Sequence, residues 1–160
     1  MAASDDPVYH RDIDGNRYRL TWLGDQATRV DRVRALAFVG PGQLLLVRGD
    51  SGMQLPGGGV EGDESPLEAL ARELSEEASA SVVESDLLGS FLIEGVTLPL
   101  REVHCYYWCR VSLDPEWQAP LDIRERIVVD VASFEARLGW GGDQIVFLLQ
   151  RARAREALAM

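Results

Sequence analysis

Glu73, Glu76 and Glu77 crowd into five consecutive positions, with Arg72 beside them and Glu64 eight residues before that arginine. If the segment is helical, Glu73 and Glu77 are one turn apart and Glu76 adjoins both. Advancing about 100° per residue from Leu67 sets Glu76, Glu73 and Glu77 near 180°, 240° and 280°. That groups them away from the Leu70/Leu74 face. Three carboxylates so close repel one another, which raises a pKa or calls for a cation. A donor set of oxygens without His or Cys suits Mg²⁺ or Mn²⁺. The same cluster could equally be a solvated acidic helix face.

The elements that must position these side chains are legible nearby. Ser65 is a good helix N-cap, Pro66 fits the first helical position, and Glu68 completes a capping box. Leu67, Leu70, Ala71, Leu74 and Ala78 recur at helical spacing and predict the buried face. Before the helix lies Leu55-Pro56-Gly57-Gly58-Gly59, expected to be a loop too rich in glycine for regular structure. Val8–Ile13 and Arg17–Trp22 predict a hairpin about an Asp14-Gly15 turn, and Val33–Val39 with Leu44–Arg48 a second about Gly40-Pro41-Gly42. Segments 81–83, 87–93, 102–113 and 126–131 read as strands. Ser133 is expected to cap a short helix through Leu138. Asp143 is expected to cap a last helix that buries Ile145, Leu148, Leu149 and Ala152, with Arg151, Arg153 and Arg155 near its C-terminal end. Strands interleaved with a central and a terminal helix predict an α/β (α+β) domain, a mixed sheet covered by helices.

The spacing Gly58-x5-Glu64-x7-Arg72-Glu73-Leu74-x-Glu76-Glu77 resembles the signature of the Nudix hydrolase family, Gly-x5-Glu-x7-Arg-Glu-U-x-Glu-Glu-x-Gly-U with U apolar. The match covers 23 positions, Gly58 to Ala80, with every charged position present; the departure is Ser79 where the family has glycine. Glycine suits the left-handed exit of a helix, so Ser79 bears on the exit geometry and removes no ligand. The resemblance implies a MutT-like αβα sandwich. It also implies hydrolysis of a diphosphate bond in a nucleoside diphosphate linked to another moiety, such as a nucleoside triphosphate, nucleotide sugar or dinucleoside polyphosphate. It implies that Glu73, Glu76 and Glu77, with the Gly57 carbonyl, hold Mg²⁺ (or Mn²⁺), while Gly58, Glu64 and Arg72 support the site. Family members differ over whether the general base is a glutamate of the box, here Glu76 or Glu77, or one from a later loop. Glu125 is the leading candidate for that later residue, ahead of Glu102 and Glu116. The alternative is a nucleotide-binding or regulatory module on the same fold without turnover; such a module would be expected to lose a metal glutamate, and none is lost.

Substrate contacts are less marked. His104, Tyr106, Trp108 and Arg110 share one face of a strand, and Tyr106 and Trp108 either stack a base or pack under a helix. Arg48, ending a strand that leads to the glycines, is a candidate phosphate contact, with Arg34 and Arg101 behind it.

The 160 residues carry 26 acids and 16 arginines, a net charge of −10, which argues against broad binding to nucleic acid or anionic lipid. Of that charge, −6 falls on residues 61–77, where the box lies. Cys105 and Cys109, four apart on one strand, are roughly 13 Å apart and cannot pair. Reduced cysteines, with no signal peptide or membrane span visible, lead to an expectation of a cytoplasmic protein. Two units are expected: an N-terminal hairpin extension over 1–30 and a hydrolase domain over 31–160. The hairpin is expected to cover a sheet edge or to mediate a homodimer.

Overall fold

The computed structural model describes residues 8–11, 14–50, 52–136 and 142–159. They form one mixed sheet with a helix-borne core on each face. The strands are β1 (Val8–Arg11), β2 (Arg17–Gly24), β3 (Arg32–Gly40), β4 (Gln43–Gly49), β5 (Gly52–Gln54), β6 (Gly57–Gly59), β7 (Ala80–Gly95), β8 (Arg101–Leu113) and β9 (Glu125–Asp130). The helices are α1 (Pro66–Ala78), α2 (Val131–Ala136) and α3 (Gly142–Ala159). The sheet runs β1-β2-β7-β8-β3-β4-β5, with β6 on β3 and β9 on β4. β3 and β8 pair in parallel and the other pairs are antiparallel, which makes the expected αβα sandwich.

Alternation along the strands divides the core in two, because successive side chains leave opposite faces. Leu36, Phe38, Leu44, Leu46, Tyr106 and Trp108 pack against Ile145, Leu148, Leu149 and Ala152 of α3. Val33, Ala35, Ala37, Leu45, Val47, Cys105, Tyr107 and Cys109 pack against Ala69, Leu70, Leu74 and Ala78 of α1. Both cysteines are free and buried, and burial pushes the Cys109 thiol up to about 12. No helix among the described residues is long and apolar enough to cross a membrane.

Several expectations need correction. The last pair described in the first ladder is Arg11 opposite Arg17, a register centred on residue 14 that does not fit a two-residue Asp14-Gly15 turn; residues 12 and 13 lie outside the described residues. As one of the two expectations had it, the hairpin covers a sheet edge, because β2 pairs with β7 from Tyr18↔Gly95 to Gly24↔Ser90. The glycine loop is partly a strand: Gly57–Gly59 pair with Arg34, Val33 and Arg32. Segments 81–83 and 87–93 merge into β7, interrupted by register shifts at Val82/Glu84 and Leu87/Gly89. Bulges of this kind let a long strand bend without ending.

The helix ends differ as well. α2 begins ahead of Ser133, where the Asp130 carboxylate accepts the Ala132 N–H at 2.9 Å; Leu138 lies outside the described residues. α3 starts at Gly142, before Asp143, and runs to Ala159, which leaves Arg151 and Arg155 mid-helix. There Arg151 binds the Leu88 carbonyl, and Arg155 pairs with Glu84 and Asp86. On α1, Leu67 is 50% exposed and Ala71 is exposed, whereas Ala69 and Glu77 are buried. The buried stripe is rotated toward the acidic cluster, so Glu77 stands on its edge beside Leu70.

Candidate active site

The acidic cluster rides on a helix fixed at both ends. At its start Ser65 Oγ accepts the Glu68 N–H at 3.1 Å and Glu68 accepts the Ser65 N–H at 3.2 Å, a complete capping box. At its end Ser79 adopts the left-handed conformation (φ 50°, ψ 42°) that the family pattern gives to glycine, and its N–H reaches the Leu74 and Ser75 carbonyls.

Arg72 holds the cluster together. Its Nε and Nη2 fork onto Glu64 at 2.8 and 3.1 Å, and Nη2 also donates to the Gly59 carbonyl at 2.9 Å. Nη1 meets Glu73 at 3.1 Å and Glu76 at 3.2 Å. A bidentate Arg–carboxylate pair is strong and geometrically specific. It holds the Glu64 carboxyl below its ordinary range and keeps the guanidinium still more firmly protonated. One side chain therefore ties the loop before α1 to its second turn.

The glycines allow the helix to sit tight against the sheet. Gly57 has φ +150°, a conformation that side chains rarely adopt, and a Cβ there would overlap the Val33 carbonyl oxygen. A Cβ on Gly58 would overlap the Glu73 carboxylate. Glu77, 6% exposed, turns inward and accepts the Gly57 N–H at 2.8 Å. Burial pushes its carboxyl up to about 7; Glu73 and Asp122 push the same way, against the Gly57 N–H and Arg34. Arg34, on β3, donates to the carbonyls of Leu55 at 3.1 Å and Gly57 at 3.3 Å.

The remaining site candidates scatter. Arg48 and Glu125 face each other across β4 and β9 and pair at 2.9 Å, both about half exposed. Tyr106 and Trp108 do not line an open surface. Both lie in the core against α3; Trp108 has no exposed surface and donates its indole N–H to the buried Glu156 at 2.9 Å. The strand face that could have stacked a base is closed by α3. Glu102 pairs with His104 at 2.8 Å and with Arg32 at 3.4 Å, and Arg101 with Glu94 at 3.8 Å. Glu116 is exposed in the loop after β8. Sequence reasoning passed over Asp122, which sits in the segment before β9 and is felt electrostatically by Glu77. No local spacing marks it, because it lies far along the chain from Glu77.

As a donor set, Glu73, Glu76, Glu77 and the Gly57 carbonyl are hard oxygens, and a buried carboxylate beside another is relieved by a cation. Among the described residues no three acidic, His or Cys side chains converge closely enough to hold an ion as they stand. Arg72 Nη1 takes up Glu73 and Glu76, while Glu77 is turned to Gly57. The donors fit a divalent cation by chemistry and need side-chain rotation to converge on it.

A mixed sheet between two helical layers carries this box on α1, a set of hard oxygen donors suited to the chemistry of phosphorus anhydrides. The family model described as NUDIX domain matches residues 28–152, and the chain belongs to the Nudix family. Members of that family generally use divalent cations. Among solved structures, the Bacillus subtilis pyrophosphohydrolase is similar at 20% identity and TM-score 0.74, covering 92% of this chain and 97% of that one. The MutT protein of Methanosarcina mazei Go1 is similar at 23% identity and TM-score 0.59, covering 79% and 94%. The NUDIX domain of Shewanella oneidensis NrtR, solved with ADP ribose, is similar at 19% identity and TM-score 0.61, covering 81% and 89%. At these identities the likeness is one of fold. No curated protein sequence matches the chain.

Proposed function

We propose that the chain is a Mg²⁺-dependent hydrolase that cleaves a diphosphate linkage in a nucleoside triphosphate, nucleotide sugar or dinucleoside polyphosphate. The observation that carries this is the buried Glu77 carboxylate, held at 2.8 Å by the Gly57 N–H on the helix edge that also bears Glu73 and Glu76. Glu73, Glu76, Glu77 and the Gly57 carbonyl would hold Mg²⁺, with Mn²⁺ as a substitute. When bound, the cation neutralises diphosphate oxygens and lowers the pKa of water.

The chain's own residues do the rest. Arg72 and Glu64 hold the loop and the second helical turn in register. Arg34 steadies the strand that carries the Gly57 carbonyl. Glu76, 57% exposed, and Glu125, open beside Arg48, are the carboxylates able to take a proton from the attacking water. Arg48 can exchange Glu125 for a substrate phosphate, an exchange that costs little for a half-exposed pair. Tyr106 and Trp108, closed within the core, have no part in substrate binding.

The test is release of phosphate or nucleotide from a panel of nucleoside triphosphates, nucleotide sugars (ADP ribose among them) and dinucleoside polyphosphates, with and without Mg²⁺. Release that requires the metal is expected from at least one member. No release from any, with metal present, would overturn hydrolysis of these classes and leave a binding module. Glu76→Gln and Glu125→Gln, each assayed on the substrate so found, separate the two candidate bases.

A further inference from the structure

The end of α1 that carries Glu76 and Glu77 lacks the glycine of the family pattern, yet Ser79 makes the same left-handed exit. A residue with a Cβ is disfavoured there, and the last carbonyls of a helix have no partner inside it. Both difficulties are met from a distant part of the chain. Trp117 donates its indole N–H to the Glu77 carbonyl at 3.0 Å. Arg126, on β9, donates Nη1 to the Ala78 carbonyl at 2.8 Å and to the Asp114 carbonyl at 2.8 Å. The Asp114 N–H donates to the Ser79 carbonyl at 2.9 Å, and Ser79 Oγ accepts the Gln118 N–H at 3.3 Å. The Arg126 guanidinium lies 5.9 Å from the centre of the Trp117 ring, so the two caps brace each other.

We infer that Trp117 and Arg126 are positioning residues for Glu77: they cap the C-terminal carbonyls of α1 and hold Ser79 in its left-handed turn, so that the last helical turn presents its carboxylates to the cation. Neither touches the carboxylates themselves; both act through the backbone of residues 77–79. The charge on Arg126 also lies at the end of the helix where a cation is favourable. The inference rests on the metal-site reading proposed above.

It is tested by calorimetric titration with Mn²⁺ alone, on the unmodified chain, Trp117→Phe, Arg126→Gln, and Arg126→Gln combined with Ser79→Gly, with thermal unfolding recorded for each. Trp117→Phe removes one N–H and keeps the ring, so it stays folded if Arg126→Gln does not. Either single variant is expected to weaken Mn²⁺ binding about tenfold, as loss of a supporting partner commonly does. Ser79→Gly is expected to restore most of that loss, because glycine makes the exit without external caps. A merely structural role would lower the unfolding temperature and leave both Mn²⁺ affinity and the rescue unmoved. Unchanged affinity in Trp117→Phe, or no recovery in the double variant, overturns the inference. Absence of Mn²⁺ binding by the unmodified chain overturns the metal-site reading and the inference with it.

Discussion

The backbone N–H of Gly57 donates to Glu77 Oε1 at 2.8 Å, and this bond joins the glycine strand β6 to the acidic helix α1. It gives a buried carboxylate a hydrogen-bond donor. Glutamine at position 77 keeps the acceptor oxygen and removes the charge. Glu77→Gln is therefore expected to fold without metal at least as stably as the parent, since an amide is cheaper to bury than a carboxylate. Its turnover is expected to fall by orders of magnitude. Urea unfolding and turnover on the same preparation check both halves; retained turnover would remove Glu77 from the metal site.

The heavy atoms nearest a Cβ built on Gly58 all belong to the Glu73 carboxylate. Gly58→Ala is expected to push that carboxylate out of place and to depress metal-dependent turnover far more than unfolding temperature. Gly57→Ala differs, because its Cβ meets the Val33 backbone, which cannot move without breaking the β3–β6 ladder. That change is expected to cost about 3 kcal/mol of stability, measured by urea denaturation. Equal stability losses in the two variants would show that the Glu73 contact is incidental.

Arg72 engages Glu64, Glu73, Glu76 and the Gly59 carbonyl through a planar fork. Lysine carries the same charge from a single nitrogen and cannot span those partners. Arg72→Lys is expected to lower turnover roughly 10- to 100-fold, the range usual for groups that orient metal ligands. Steady-state kinetics at saturating metal checks it; turnover unchanged by Lys would mean that charge, not geometry, is what the site needs.

His104 is largely buried, and burial, with Arg34 and Arg32, depresses its pKa against the raising effect of the neighbouring Glu102. The unfolded chain, with a histidine pKa near 6.5, then binds the proton first as pH falls. Stability is therefore expected to decline as pH drops from about 6.5 toward the folded-state value, and to be level above it. In a His10→Gln background the His104 ring signals in NMR are expected to titrate below 6.5. A midpoint above 6.5 would mean that the Glu102 pair outweighs burial.

Trp22 of β2 packs edge-on to Phe91 of β7 at 5.0 Å and to Phe147 of α3 at 4.9 Å, with Arg151 over its ring at 5.6 Å. The N-terminal hairpin is thereby anchored on the α3 side of the sheet. Trp22→Ala is expected to destabilise the whole chain by about 3 kcal/mol in a single cooperative transition. Two transitions, with the main one unshifted, would mean that residues 1–30 form a separable unit.

Much of this protein is written in local order. The capping box at Ser65 and Glu68, the spacing of Glu64, Arg72, Glu73, Glu76 and Glu77, and the alternation along β8 involve neighbours within a turn or a strand. Composition and periodicity report such relations directly. The helix face was legible only in part: Glu77 is polar in type but stands at the edge of the buried stripe. Its burial depends on how closely β6 approaches, and that follows from Gly57 and Gly58 lying against β3. The reading of 55–59 as a loop failed for the same reason, since glycine has no strand propensity of its own and takes its ladder from the partner.

Tertiary structure alone decided where the remaining side chains act. Trp108 reads as a ring available for stacking until α3 covers it and Glu156 accepts its N–H, 48 residues along the chain. Arg48 and Glu125 become partners through a ladder between strands 77 residues apart. Trp117, from the loop after β8, and Arg126, from β9, reach the end of α1 with no spacing to announce them. By itself the sequence determined which candidate donors stand together, because charged residues at helical spacing are neighbours before tertiary folding is considered. Which carboxylate is buried, which arginine holds a carbonyl and what caps the acidic helix were decided by tertiary folding, because those contacts exist only once distant segments come together.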